Sequence, residues 1–181
     1  ARLMHDAGRI VWRGLALRAG LPTPACEVEN SRSQTNPPLR WVMAIPDVFS
    51  IRHTTKPEYL EPTAHEIKVN RADLLSDLRN TDKADAYRQA AGQCWYVIRE
   101  GIGEPDEIPV EFGVVVARAT ELLIARPAPR LHHTLPFNTW MTLARSTPLR
   151  FEPPTQSRQV TPGTDDRRVY SEHEEIPSGS P

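Results

Sequence analysis

Two acidic residues and a lysine in the middle of the chain, Asp47, Glu66 and Lys68, are of the types that metal-assisted hydrolysis uses. Carboxylates bind a hard divalent cation such as Mg²⁺, which keeps most of its water molecules, and an ammonium group can orient or activate one of those waters. Glu66 and Lys68 are two residues apart, so on a β-strand their side chains point to the same face. With Asp47 beside them, the three side chains could hydrolyse a phosphodiester bond.

Two predicted strands would bring these three residues together. Residues 48–52 and 63–69 have the apolar patterns of strands, and the connection between them is polar and contains prolines. An antiparallel pair with its turn centred near Pro57 places Asp47 across the ladder from about Ile67, next to the other two side chains. The alternative is that the glutamate and lysine form a solvated strand face and that Asp47 is a turn residue, since surface charge pairs are common and add little stability.

The same residues carry a resemblance to a known family. The dipeptide Pro-Asp at 46–47, followed by Glu-Ile-Lys at 66–68, resembles the PD-(D/E)XK signature of the restriction-endonuclease-like nuclease superfamily. The run HEIKVNRADL at 65–74, with the later apolar run CWYVI at 94–98, is similar to small bacterial MmcB-type DNA-repair proteins and to related phage domains. The resemblance covers roughly residues 5–118.

The resemblance implies an α/β fold with a restriction-endonuclease-like core. In that core a mixed sheet of four to five strands is flanked by helices in the order α-β-β-β-α-β. It implies a Mg²⁺-dependent deoxyribonuclease, with Mn²⁺ as an alternative metal, that acts on DNA in repair, processing or phage–host conflict. A homodimer is a further expectation, because nucleases of this kind often pair to cut both strands.

The resemblance also assigns roles to individual residues. Asp47, Glu66 and the backbone carbonyl of Ile67 would hold one or two metal ions. Lys68 would position the attacking water or stabilise the charged transition state. The metal would lower the pKa of its bound water and polarise the phosphate.

A third metal-binding acid remains open between several residues. Helical spacing of apolar residues predicts a first helix over 3–19, the element that often carries a glutamate in this superfamily, but Asp6 is its only acid. Glu27 and Glu29 are the alternatives, on a predicted strand at 25–30 next to the hairpin. Either of them could equally be an ordinary surface acid.

Basic and aromatic residues on the two predicted helices are candidates for contacting nucleic acid. The second helix is expected over about 70–91, with an interruption near 80–81. The candidate contacts are Arg71, Lys83, Tyr87, Arg9 and Arg13. Alternatively, Lys83 and Arg71 form surface salt bridges with Asp73, Asp77 or Asp85. Tyr87 could instead hydrogen-bond a carboxylate of the site.

The remaining chain divides into a domain and two C-terminal parts. Residues 93–99 predict a central strand parallel to the 63–69 strand. The nuclease-like domain that contains it is expected over residues 1–125. Residues 126–147 read as an extension whose short helix packs on that domain. Residues 148–181 are rich in proline, serine and charge, which is typical of a tail that is either disordered on its own or extended along a protein partner.

Overall composition leaves several function classes open. The net charge of −1 over 181 residues neither supports nor excludes DNA binding, since steering depends on local charge. The chain has two well-separated cysteines and no apolar run that could span a membrane, so we expect a cytoplasmic protein without membrane partners. Two other classes compete with the nuclease: an inactive nuclease-like module for nucleic-acid binding or assembly, and a structural interaction protein of phage origin.

Overall fold

Eight strands and four α-helices are found in the residues that the computed structural model describes, 1–23 and 38–151. The strands are β1 (Arg9–Arg13), β2 (Leu17–Pro22), β3 (Leu39–Ala44), β4 (Val48–Arg52), β5 (Thr63–Lys68), β6 (Gln93–Arg99), β7 (Gly113–Ala117) and β8 (Leu122–Arg126). The helices are α1 (Arg2–Asp6), α2 (Arg71–Leu78), α3 (Thr81–Ala90) and α4 (Phe137–Arg145). The predicted strand at 25–30, with Glu27 and Glu29, and residues 152–181 of the predicted tail lie outside the described residues.

Six of these strands form one mixed sheet in the order β1-β4-β5-β6-β7-β8, and β2 pairs with β3 as a separate antiparallel ribbon. In the sheet, β6 is parallel to both of its neighbours, and the other pairs are antiparallel. The predicted α/β class is therefore confirmed. The predicted number of four to five strands in the sheet is wrong. The sheet has six, because β1 forms one edge where a helix was predicted and the β7–β8 hairpin extends the other.

The predicted helix over 3–19 is mostly absent. The helix α1 ends at Asp6, and Gly8 and Gly14 both have positive φ values of 74° and 55°, a conformation that glycine adopts without steric cost. The intervening residues form β1 instead, and Trp12 packs towards Phe49 in the core. The apolar residues of this segment fit the period of a helix as well as that of a strand. The positive φ values of Gly8 and Gly14 interrupt the helix on both sides of β1.

The segment after β5 forms two helices rather than one, with the break near the predicted position. Asn70 caps α2 by accepting a hydrogen bond from the backbone N–H of Asp73 at 2.8 Å, and Asn80 caps α3 by accepting one from Lys83 at 3.1 Å. These helices cover one face of the sheet, where Leu74, Ala86 and Tyr87 are buried. Because α3 begins again at Asn80, its direction differs from that of α2, and its side chains Lys83 and Tyr87 reach Glu66 on β5.

The C-terminal part of the described chain adds the β7–β8 hairpin and α4. Helix α4 packs against β2, where the Asn138 side chain donates to the main-chain carbonyl of Arg18 at 2.6 Å. Its buried residues are Thr139 and Leu143. No helix within residues 1–23 and 38–151 is long and apolar enough to cross a membrane.

Candidate active site

The open end of the β4–β5 ladder places Asp47 beside Glu66 and Lys68. The ladder pairs Val48 with His65, so Asp47 lies one residue beyond the last pair. Its carboxylate Oδ2 accepts a hydrogen bond from the backbone N–H of Ile67 at 2.7 Å. The side chain of Asp47 thus replaces a missing strand partner. The register, extended by one residue, sets Asp47 opposite Glu66 rather than opposite Ile67 as predicted, and the predicted neighbour is contacted through its backbone N–H.

Glu66 is the centre of a buried polar cluster on the helix-covered face of the sheet. Only 5% of its surface is exposed. Its Oε1 accepts hydrogen bonds from Lys68 Nζ at 2.9 Å and from Lys83 Nζ at 2.6 Å, and its Oε2 accepts one from the Tyr87 hydroxyl at 2.6 Å. Because both oxygens have donors, the carboxylate is held in one orientation.

Lys68 is also 5% exposed and is surrounded by carboxylates. Its Nζ lies 2.9 Å from Glu66, 3.3 Å from Asp73 and 3.4 Å from Asp77. Burial alone would lower the pKa of Lys68, but hydrogen bonds and charge from these acids outweigh burial and raise the pKa above its ordinary value. Lys68 therefore keeps its proton at neutral pH and acts as a positive charge and hydrogen-bond donor, not as a general base.

Asp77 and Tyr96 complete the cluster, and neither was predicted to lie in the site. Asp77 accepts a hydrogen bond from Tyr96 at 2.8 Å through Oδ2, and its Oδ1 pairs with Lys83. Tyr96 lies opposite Glu66 in the parallel β5–β6 register. That register, with the inward alternation of β6, is the signal that could have placed Tyr96 beside Glu66.

Tyr87 joins the cluster to the chain that precedes Asp47. Its hydroxyl contacts both Glu66 and the main-chain carbonyl of Ile45, which lies 2.9 Å away. Burial, the hydrogen bond to Glu66 and the nearby negative charges raise the pKa of Tyr87, so the phenol stays protonated and donates. This contact agrees with the alternative in which Tyr87 hydrogen-bonds a site carboxylate.

The predicted nucleic-acid contacts are placed differently from one another. Lys83 bonds Glu66 and Asp77, so its ammonium belongs to the cluster. Arg71 pairs with Glu107 at 2.6 Å. Arg9 donates to Ser50 Oγ and Thr63 Oγ1, each at 2.9 Å, and pairs with Glu61. The structure therefore gives Lys83, Arg71 and Arg9 protein partners, and Arg13 is exposed at the end of β1.

The first-helix candidate for the third acid does not reach the site. Asp6 is exposed and pairs with Arg2. It precedes Arg9, which lies opposite Arg52 at the far end of β4 from Asp47. At about 3.3 Å per strand residue, the length of β4 separates Asp6 from the carboxylates, so Asp6 cannot complete this site.

The donor chemistry of the site suits a hard divalent cation bound mainly through water. Within the described residues, no group of three or more His, Cys, Asp or Glu side chains is arranged to hold a metal ion. Mg²⁺, however, commonly takes only one or two protein carboxylates and keeps several waters. Asp47 and Glu66 would have to be that pair, with the Ile67 carbonyl at the same open end of the ladder.

The cluster contains more carboxylates than ammonium groups, which also favours binding of a cation. Three carboxylates, Glu66, Asp73 and Asp77, contact the ammonium groups of Lys68 and Lys83, and Asp47 adds a fourth carboxylate at the neighbouring Ile67 N–H. The excess of negative charge can accept a divalent cation. Since both Glu66 oxygens already have donors, Glu66 can bind a cation only if a donor leaves one of them.

Comparisons with known proteins leave the function open. No protein-family model matches the chain, and no curated protein matches it. A solved structure of a protein of unknown function from Silicibacter pomeroyi matches with a TM-score of 0.49 and 19% sequence identity, over 80% of this chain and 75% of that chain. A likeness at this level carries no argument about activity.

Proposed function

We propose that this chain is a metal-dependent nuclease that hydrolyses DNA phosphodiester bonds. The observation that carries the proposal is the hydrogen bond from the Ile67 N–H to Asp47, which brings Asp47 next to Glu66 and Lys68 at the end of one strand pair. The resemblance to PD-(D/E)XK nucleases rests on these same residues.

The order of the elements supports the restriction-endonuclease-like core. Leaving out the β2–β3 ribbon, the chain runs α1, β1, β4, β5, α2 with α3, and β6. That order is the α-β-β-β-α-β succession expected from the resemblance, with β1, β4 and β5 antiparallel and β6 parallel to β5. The ribbon is then an insertion between the first two core strands.

Each residue of the cluster has a distinct part in the proposed chemistry. Asp47, Glu66 and the Ile67 carbonyl would hold Mg²⁺ or Mn²⁺, which when bound supplies an activated water and neutralises phosphate charge. Lys68 keeps its proton, so it donates a hydrogen bond and positive charge to the phosphate oxygens. Asp73 and Asp77 hold Lys68 in place.

A cleavage assay tests the proposal and identifies the substrate. Labelled single-stranded, blunt duplex, flap and supercoiled DNAs are incubated with Mg²⁺ or Mn²⁺, and EDTA is added to parallel samples. The variant is Lys68→Ala and the matched control is Lys56→Ala, in a solvent-exposed loop. We expect metal-dependent products that Lys68→Ala loses and Lys56→Ala keeps, with circular dichroism to verify that both variants fold. Metal-independent products, or no products from folded wild-type protein, would refute the proposal.

The saturated hydrogen bonding of Glu66 favours a second candidate. With both oxygens bonded and 5% exposure, Glu66 could serve a catalytically inactive module that binds nucleic acid or assembles with a partner. A thermal-shift titration with Mg²⁺ separates the two. The nuclease gains stability in millimolar Mg²⁺ and loses this gain in Asp47→Asn, whereas the inactive module shows no shift in either protein.

A further inference from the structure

One face of the β2–β3 ribbon is an exposed apolar surface. Leu39, Trp41 and Met43 alternate along β3 and are 56%, 58% and 50% exposed, and Ile45 continues the series at 50%. Alternate residues of a strand share a face, so these four side chains form one row. The opposite face of the ribbon is buried against the core through β2. We call this exposed row, together with Arg18, the ribbon face.

Trp41 is the largest side chain of the ribbon face, and its ring has a defined setting. The guanidinium carbon of Arg18 lies 5.9 Å from the ring centroid, which is a cation–π distance. Gly20 is paired with Trp41 across the ribbon. A Cβ at Gly20 would lie 3.5 Å from the ring, so the ring rests against the backbone of this glycine. An aromatic ring held next to an arginine is a stacking platform for a nucleic-acid base.

The charge around the ribbon face complements a polyanion. Strands β2 and β3 contain no acidic residue, and their charged residues are Arg18 and Arg40. Arg40 is paired with Asp82, whereas Arg18 stands on the exposed face beside Trp41. The nearest acid along the chain is the exposed Asp47, two residues after Ile45, so the charge of the ribbon face itself is that of Arg18. Single-stranded nucleic acid combines the phosphates and stacking bases that match these features.

The ribbon face also leads directly into the candidate active site. Ile45 is followed by Pro46 and Asp47, and the Ile45 carbonyl accepts a hydrogen bond from the Tyr87 hydroxyl that also bonds Glu66. At about 3.3 Å per residue, Met43 lies about 13 Å along the chain from Asp47. A strand seated on the ribbon face would therefore approach the carboxylates within a few nucleotides.

We propose that the ribbon face binds unpaired nucleotides of a nucleic-acid strand. Bases stack on Trp41 and on the apolar side chains beside it, and Arg18 contacts the phosphates. This inference rests on the proposed nuclease function, since it names single-stranded nucleic acid as the form that enters the site. The binding itself requires no metal, so it is measured separately from cleavage.

The test is a binding titration in EDTA, where no metal-dependent cleavage occurs. Fluorescence anisotropy follows a labelled oligothymidylate and a labelled blunt duplex of equal length. The variants are Trp41→Ala and Trp41→Phe, and the control is Ile124→Ala, which removes an equally exposed apolar side chain from β8. We expect Trp41→Ala to weaken binding to the single strand about tenfold, Trp41→Phe to weaken it less, and Ile124→Ala to leave it unchanged.

Several results would overturn the inference. Binding of the single strand that is equal in wild type and Trp41→Ala would exclude the ribbon face as the site. Failure of wild-type protein to bind the oligothymidylate would exclude it too. Light scattering that shows a dimer in wild type and a monomer in Trp41→Ala, without nucleic-acid binding, would make the face a self-interface instead.

The outcomes also separate this inference from the nuclease proposal. Loss of binding in Trp41→Ala by a protein that cleaves no DNA with Mg²⁺ would support the ribbon face and refute the nuclease. Metal-dependent cleavage by wild type, together with unchanged single-strand binding in Trp41→Ala, would support the nuclease and refute the ribbon face.

Discussion

The carboxylate of Asp47 accepts a hydrogen bond from the backbone N–H of Ile67 at 2.7 Å, across the open end of the β4–β5 ladder. This bond substitutes a side chain for a strand partner and fixes an acid next to the Glu66–Lys68 pair. Asp47 is thereby held by main-chain geometry rather than by a flexible loop. A fixed acid of this kind is what a metal-binding or catalytic site needs, because catalytic geometry must be set before the substrate arrives.

Tyr87→Phe should destabilise the protein by about 1–3 kcal/mol, because it leaves Glu66 Oε2 and the Ile45 carbonyl without their shared donor in a buried site. Urea denaturation followed by circular dichroism measures the change. Tyr59→Phe is the control, since the Tyr59 ring is half exposed and its loss of a hydroxyl should have little effect. Equal stability of Tyr87→Phe and wild type would show that this hydroxyl does not organise the cluster.

Lys83→Met should increase the response to Mg²⁺ while lowering stability in its absence. Lys83 donates to Glu66 and pairs with Asp77, so its removal leaves both acids with less positive charge and frees Glu66 Oε1 from one donor. We expect a loss of about 2 kcal/mol without metal, less than for a fully buried pair, because Lys83 is 24% exposed and Lys68 remains. Differential scanning fluorimetry with and without Mg²⁺ measures both effects.

The control for this variant is Lys56→Met, which removes an exposed lysine and should change neither quantity. A metal-induced shift of the melting temperature that is smaller in Lys83→Met than in wild type would argue against cation binding at Glu66. Such a result would favour the inactive module.

Cys94 should be nearly inert towards thiol reagents in the folded protein. It is buried beside Ala64 in the β5–β6 register, and burial raises the pKa of its thiol to about 12. At pH 8 the thiolate, which is the reactive form, is therefore a very small fraction. In a Cys26→Ser background, we expect a colorimetric disulfide reagent to label the native protein at least ~100-fold more slowly than the protein unfolded in guanidinium. Labelling at the speed of a free thiol would show that this register is not formed.

The local pattern of the sequence was sufficient for the central part of the fold. The apolar run at 93–99 and the interruption near 80–81 were predicted, because both depend on neighbouring residues, but the cap that Asn80 gives to a separate helix was not. The pairing of 48–52 with 63–68 followed from alternation and one turn position, although its register is one residue away from the predicted one at Asp47. The N-terminal strands were missed because their apolar residues fit a helical period as well, and the conformations of Gly8 and Gly14 appear only in the fold.

The partners within the site could not be predicted from spacing alone. Lys83 could have paired with any of three acids, and the direction of α3 selected Asp77 together with Glu66. Tyr96 enters the cluster through the parallel register of β6, which is a tertiary feature. The exposed row on β3 alternates in the sequence, but only the pairing with β2 shows which face is buried.

The most direct test of the nuclease proposal is the single-turnover rate at which Asp47→Asn cleaves the best DNA substrate in Mg²⁺. Asparagine keeps an oxygen that can accept the Ile67 N–H, so the ladder end should persist while the metal-binding charge is lost. We expect the rate to fall at least ~100-fold with the melting temperature nearly unchanged, since metal-assisted catalysis contributes several kcal/mol. Asp106→Asn, which changes an exposed acid in a short 3-10 helix, should cleave at the wild-type rate. A wild-type rate in folded Asp47→Asn would contradict the proposed active site.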